Sequence, residues 1–444
     1  MTEAAQAQAR HPRAWVALAI LFMLVVLAYV DRMTIVLMVE PIKHDLGISD
    51  VQISYLQGLA FALCFALAGP PLAWVADRYS RVQVIFWGVA IWSLATMASG
   101  MTSSYSQLLG ARFLVGVGEA ALMPAAFSLL ADLFPYRQRA LAFGIVSAGA
   151  AVGGAAAMAG GGYLLQAASR AGTLILPVIG EVQPWQLVFI AAGLPGIAMA
   201  ALVFLIPDVR GGIGLDVAEK QPSQPALLGW VRTNTRFVLL FSLAVTLLCA
   251  IAYGITNWAP SFFVRSYGLQ IVDFAFALAV IQLIAGVAGY VGGGHIADRL
   301  TLRGFANAPY VYLAGVSILL LVAGLGAFTL RAGPAVSLAF LALFHLVLPY
   351  TGIVAAELQL AAPRHLRAQV IALVTAIYTL FGMVIGPTSI AWLTEHALGD
   401  AGQLATALTI ATATFCPLAL LSLLLSRKAA STAIATTRAV ENGR

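Results

Sequence analysis

Ala73-Trp74-Val75-Ala76-Asp77-Arg78 and, 221 residues later, Gly294-His295-Ile296-Ala297-Asp298-Arg299 are two versions of one short polar interruption between long apolar runs. Two more landmarks follow each copy in the same order. Pro135-Tyr136-Arg137-Gln138-Arg139 is matched by Pro363-Arg364-His365-Leu366-Arg367, both Pro-x-x-x-Arg, at an offset of 228. Gly149 and Gly153 are matched by Gly382 and Gly386 at an offset of 233. A single Asp-Arg coincidence carries little weight, but three echoes in one order at similar offsets indicate a duplicated unit.

The runs between these landmarks identify the solvent. Of the 444 residues 61% are apolar and 9% charged, against roughly 25% charged in an ordinary soluble domain. A bilayer core needs roughly 20 mostly apolar residues per helix, and hydropathy places such helices at Ala14–Val39, Val51–Val75, Val82–Met101, Ser104–Phe134, Arg139–Ala167 and Trp185–Ile206. The second half repeats the count, at Phe237–Val264, Val272–Ile296, Pro309–Leu330, Pro334–Leu360, Arg367–Leu393 and Gln403–Leu425. The expected fold is therefore an all-α membrane protein of twelve transmembrane helices in two pseudo-symmetric six-helix bundles. The first bundle spans residues 1–206 and the second 237–444 with a cytoplasmic tail. A linker at 207–236, holding Gly211, Gly212, Pro222, Ser223 and Pro225 and a short surface helix at Leu227–Arg232, joins them.

Charge sets the orientation. Lys and Arg are in excess on cytoplasmic loops, and an even helix count puts both termini on one side. With the termini inside, eighteen of the 24 cations are cytoplasmic, among them Arg10, Arg13, Arg210, Lys220, Arg438 and Arg444, and only Lys43, Arg170, Arg265 and Arg331 lie outside. The run after Arg10 and Arg13 continues past Asp31 and Arg32 without a small-x-small cleavage site, so it reads as a retained helix rather than a signal peptide. The net charge of +6 is explained by these helix ends and not by a nucleic-acid-binding stripe. Cys64, Cys249 and Cys416 each lie in an apolar helix and read as packing residues, so neither a disulfide framework nor a metal site is expected. A phosphate-binding Gly-x-x-x-x-Gly-Lys-Ser/Thr run and a hydrolytic triad are both missing, which argues against an ATP-driven pump and against an enzyme, and no cofactor is implied.

Four ionisable residues fall inside expected helices: Asp31 and Arg32 in the first, Arg112 and Glu119 in the fourth. Charges in a membrane are costly and usually functional. Arg112 and Glu119 are seven residues apart, so they share one helix face roughly 10 Å apart along the axis, too far to touch each other and free to meet Asp31 or Arg32 on a facing helix. Burial favours the neutral form of a carboxylate and a neighbouring guanidinium its charged form. A pair that opens and closes between two conformations is therefore a proton valve. The alternative is a purely structural ion network, but the repeat puts Asn257, Trp258, Phe340 and Val347 at the equivalent positions, so the charges were not duplicated with the helices. Solute-cavity candidates in the second half are Tyr253, Asn257, Gln282, His345, Tyr350 and Tyr378. His345 is a reserve proton carrier and Glu357 lies close to the cytoplasmic end, within reach of Arg364 or Arg367.

With these residues in view the chain resembles the major facilitator superfamily along essentially its whole length. The family's loop signature, Gly-x-x-x-Asp-Arg-x-Gly-Arg, is met by Asp77, Arg78 and Arg81 in the first copy, where Ala73 and Ser80 replace glycines, and by Gly294, Asp298 and Arg299 in the second. The resemblance implies two bundles rocking about a central cavity, with a cytoplasmic latch drawn from Asp77, Arg78, Arg81, Asp298, Arg299, Arg139 and Arg367. Tyr29-Val30-Asp31-Arg32, Glu40-Pro41-Ile42, the run from Arg112 to Ala120, and Asp132-Leu133-Phe134-Pro135 are similar to the Spinster-like branch. That branch implies proton-coupled movement of an amphiphilic solute such as a lysophospholipid or a sphingoid lipid. A sialin-like symporter of organic anions, with Arg32 or Arg112 holding the anion, shares part of the pattern. The partners so implied are the bilayer, protons and one small solute, with no nucleic acid, in a monomer of the cell inner membrane.

Overall fold

The computed structural model describes residues 3–172, 174–176, 180–208, 224–303 and 308–442. Half of the expected linker, 209–223, lies outside them, with Arg210 and Lys220, and so do the side chains of Arg10, Asp77, Pro225 and Arg438 and all of Arg444. Twelve helices among the described residues are long and apolar enough to cross a membrane, and the chain is a multi-pass membrane protein. They are α1 (Pro12–Leu37), α2 (Asp50–Ala76), α3 (Arg81–Ser99), α4 (Tyr105–Leu133), α5 (Arg137–Ala171), α6 (Pro184–Leu205), α7 (Thr235–Tyr267), α8 (Ile271–Leu300), α9 (Ala308–Thr329), α10 (Pro334–Ala361), α11 (Arg367–Ala397) and α12 (Ala401–Thr437).

Local chemistry sets many of the helix ends. Ser49, Ser80 and Ser104 each accept a backbone N–H from the first turn of α2, α3 and α4, and Ser49 and Gln52 complete a capping box. Pro184 and Pro334 occupy the first turns of α6 and α10, where a missing N–H costs nothing.

The chain divides into two compact units, one made of Met1–Leu215 with Leu269–Val280 and the other of Asp216–Gly268 with Ile281–Arg444. Each has the same internal plan. In the first, α1 packs on α5 and α6, and α3 on α4 and α6; in the second, α7 packs on α11 and α12, and α9 on α10 and α12. The glycine echo explains the tightest of these pairs. A Cβ on Gly153 would stand 2.4 Å from the Val26 carbonyl oxygen of α1, and one on Gly386 2.0 Å from the Ala250 carbonyl oxygen of α7. Only a hydrogen fits there, and in lipid, where helices gain little from apolar burial, such close backbone approach is what binds them. The Pro-x-x-x-Arg echo is also physical. Arg139 Nε donates to the Phe134 carbonyl at 3.1 Å and Arg367 Nε to the Ala362 carbonyl at 3.2 Å, five residues back in each copy.

Several details differ from the hydropathy reading. The fourth helix breaks at Ala121, because Pro124 has no N–H for the Ala120 carbonyl. The tenth breaks at 348–350 around Pro349 in the same way. The last helix does not stop near Leu425 but runs on to Asn442 through an Ala- and Thr-rich stretch with no glycine or proline to end it. Between α5 and α6, β1 (Leu174–Leu176) pairs antiparallel with β2 (Gly180–Val182), a short hairpin that a window tuned to helices passes over. The surface helix expected at Leu227–Arg232 is found as Gln224–Thr233.

If backbone contact at Gly386 holds α7 to α11, replacing it with leucine forces the helices apart. Gly386→Leu should lower stability in detergent by about 1–3 kcal/mol or more, read as a fall in the thermal unfolding midpoint. Gly286→Ala, whose Cβ meets open space, should stay within about 0.5 kcal/mol of the wild type.

Candidate functional site

The four intramembrane charges converge in the first unit. Asp31, Arg112 and Glu119 are each only 2% exposed, and the Arg32 side chain is 13% exposed. Arg32 Nη2 donates to Glu119 Oε2 at 2.5 Å, joining α1 to α4. Its guanidinium also lies over the rings of Tyr29 at 4.6 Å and Phe61 at 4.1 Å, so aromatic faces of α1 and α2 replace part of the lost hydration. Two acids and two bases give the cluster no net charge, which is how a membrane interior tolerates it.

Asp31 is held differently from the expected carboxylate–guanidinium pair. Thr96 Oγ1 of α3 donates to Asp31 Oδ2 at 3.1 Å. Arg112 meets the backbone of Asp31 rather than its carboxylate, with Nη2 3.5 Å from the carbonyl oxygen, and its guanidinium centre is 5.7 Å from the Phe189 ring of α6. The spacing of Arg112 and Glu119 explains this division. Glu119, on the last turn before the break at Ala121, reaches Arg32, and Arg112 sits two turns earlier. Arg112 Nε and Nη1 and Glu119 Oε1 make no hydrogen bond among the described residues. The cluster thus holds one closed ion pair, one carboxylate anchored by a hydroxyl, and one guanidinium with donors to spare.

The expected latch residues lie elsewhere. Arg81 pairs with Asp132 and also reaches the Ser128 carbonyl at 3.5 Å, while Arg78 stacks on Trp74 at 4.0 Å. Asp298 and Arg299 are exposed. The repeat puts Leu302 and Leu360 where the first copy has Arg81 and Asp132, so this ion pair was not duplicated.

In the second unit, Tyr350 lies within electrostatic range of Tyr253 and Tyr378, beside Cys249 and Cys416. Asn257 Nδ2 donates to the Tyr253 carbonyl of its own helix at 2.8 Å, and Gln282 is half-buried. His345 is buried edge-on against Phe344 with ring centres 5.2 Å apart. Glu357 is 1% exposed, and its Oε1 makes no hydrogen bond among the described residues. Sequence reasoning passed over Thr96, Phe61, Phe189 and the Arg81–Asp132 pair. Of these, Arg81 stands in the loop signature and Asp132 in the run similar to the Spinster-like branch, but neither motif indicates their pairing.

Removing Arg32 leaves Glu119 buried without its cation. Arg32→Ala should cost about 3–5 kcal/mol, whereas Arg32→Met combined with Glu119→Leu should be neutral or stabilising by about 1–4 kcal/mol, both read from thermal unfolding in one detergent.

Comparison with known proteins agrees with this fold. The family model of the Major Facilitator Superfamily matches residues 21–387. An MFS-type efflux pump of Mycolicibacterium smegmatis is 29% identical over 297 residues, covering 66% of this chain and 64% of that protein. A D-galactonate transporter of Escherichia coli O6:H1 is 25% identical over 314 residues, covering 66% and 69%. Protein spinster of Drosophila melanogaster is 26% identical over 313 residues, covering 68% of this chain and 49% of its own. The chain therefore spans less than two thirds of the first of these and about half of the third. The solved structure of a bacterial homolog to the human lysosomal transporter Spinster, inward-facing and unoccupied, superposes with a TM-score of 0.75 over 96% of this chain and 97% of that one at 23% identity, which establishes a shared fold.

Proposed function

The chain belongs to the major facilitator superfamily, and from that premise we propose that it is a proton-coupled secondary active transporter, not an enzyme, moving an amphiphilic, lipid-like solute by alternating access. The observation that carries this reading is the buried cluster in which the Arg32–Glu119 ion pair stands beside Asp31. A proton drives a conformational change only when two conformations bind it with different affinity. The cluster supplies the means. With the Arg32–Glu119 pair closed, Glu119 is ionised; when α1 and α4 shift within the first bundle during the transport cycle and the pair opens, its carboxylate is left in apolar surroundings and takes up a proton. Asp31, anchored by the Thr96 hydroxyl rather than by a guanidinium, is the second acid of the coupling site. The protein works as a monomer in the inner membrane of a cell, with both termini cytoplasmic. The lipid-like solute is what the resemblance of Tyr29–Arg32 and Arg112–Ala120 to the Spinster-like branch implies.

A second reading has its own support. Arg112 Nε and Nη1 have no acceptor among the described residues, and each can donate a charge-assisted hydrogen bond to a carboxylate. One relative is named a D-galactonate transporter. In this reading the solute is a small organic anion bound on Arg112, and proton coupling still runs through Asp31 and Glu119.

Uptake into proteoliposomes at an imposed pH gradient tests both. The wild type should accumulate a lysophospholipid, and Asp31→Asn and Glu119→Gln should reduce uptake to the rate seen without a gradient. Accumulation of D-galactonate with no movement of lysophospholipid would select the second reading. Full gradient dependence in both variants would exclude proton coupling through this cluster.

A further inference from the structure

Hydroxyl side chains buried in membrane helices ordinarily bond within their own helix, and this chain shows the habit repeatedly. Thr34 donates to the Val30 carbonyl, Ser99 to Ala95, Ser317 to Leu313, Thr394 to Ile390 and Thr412 to Leu408, each four residues back at 2.7–3.0 Å. Thr96 is fully buried on α3 and departs from this pattern. Its hydroxyl crosses to α1 and donates to Asp31 Oδ2 at 3.1 Å. Its neighbours on the same helix, Trp92, Ser93 and Ser99, are fully buried too, so Thr96 sits in a tightly packed seam with little room for another rotamer.

The surroundings of Asp31 make that bond consequential. On its own helix Asp31 has Tyr29 and Arg32 beside it. From α4, Arg112 addresses its backbone and Glu119 faces Arg32. Phe189 belongs to α6, which carries no ionisable residue from Pro184 to Leu202, and α5 carries none from Leu141 to Gly162. On α2 the ionisable residues that flank Phe61 in sequence are Tyr55 and Cys64.

We propose that Thr96 is a positioning residue for the proton site, its hydroxyl holding the Asp31 carboxylate in one rotamer in both protonation states. This rests on the proton-coupled reading above. A hydroxyl both donates and accepts. To an ionised Asp31, Thr96 gives its hydrogen, as in the structure. When Asp31 is protonated, the Thr96 oxygen accepts the acid hydrogen. No covalent bond changes at Thr96, and the carboxyl keeps its place throughout. A lysine or a tryptophan N–H in this position would serve the ionised form alone, and valine neither.

The test uses the full-length protein in proteoliposomes, comparing Thr96→Val and Thr96→Ser with Asp31→Asn. Valine keeps the volume and removes both bonds, of which the one to the ionised carboxylate is the stronger, so the midpoint of the pH profile of transport should rise by about one pH unit; serine should restore the wild-type profile. A merely structural role would lower the amount or stability of the protein and leave the midpoint in place. The carboxyl band of Asp31 in infrared spectra of purified protein, identified by its loss in Asp31→Asn, should show the same shift without any need for transport. An unmoved midpoint in Thr96→Val, with pH dependence abolished in Asp31→Asn, overturns the role of Thr96 and leaves proton coupling standing. Unchanged pH dependence in Asp31→Asn removes both.

Discussion

A guanidinium and a carboxylate closed on each other between α1 and α4, in a medium that cannot hydrate either, is the constraint from which the rest follows. Arg32 and Glu119 tolerate burial because each neutralises the other and because Tyr29 and Phe61 cover the cation. Separating them exposes two charges to hydrocarbon, which is prohibitive unless water or a proton arrives. In the proposed mechanism such a pair couples protonation to shape, and its setting determines which neighbours take part. Asp31 is adjacent but is not in the pair. It answers to a hydroxyl and to the field of Arg112, so the cluster has two acids in two different situations.

The scaffold around this cluster was copied; the cluster was not. Close glycine contact joins α1 to α5 and α7 to α11, proline breaks α4 and α10, and an arginine turns back to a carbonyl five residues earlier in each copy. These features serve packing and helix geometry, which both halves need equally. The positions equivalent to the four charges carry Asn257, Trp258, Phe340 and Val347. Trp258 now donates to the Pro387 carbonyl at 3.0 Å and fixes helix packing instead. Duplicated architecture with unduplicated chemistry leaves the four charges in one half and the phenols Tyr253, Tyr350 and Tyr378 in the other.

Most of this was legible before any coordinates. Hydropathy located every membrane helix because a charge-free run of the required length has few other uses, and the echoes at Asp298, Arg367 and Gly386 exposed the duplication. The four charges were legible for the same reason, since a charge inside such a run stands out. Their pairing was not. Which cation meets which acid depends on helix rotation and on the break after Glu119, both set by tertiary contact and by Pro124. Thr96 was invisible because a threonine in a membrane helix carries no signal until the direction of its hydroxyl is known. The helical continuation to Asn442 and the hairpin at Leu174–Val182 lay below the resolution of a window built to find apolar spans.

The central claim is thermodynamic, so its most direct test runs transport backwards. If solute and proton are coupled through one cluster, each drives the other. Proteoliposomes loaded with a pH-sensitive dye and given a solute gradient, but no initial pH gradient, should change internal pH as lysophospholipid or D-galactonate moves. The change should vanish when Asp31 and Glu119 are both neutralised. Solute movement in the wild type with no change in internal pH, or an undiminished change in the doubly neutralised protein, would contradict it.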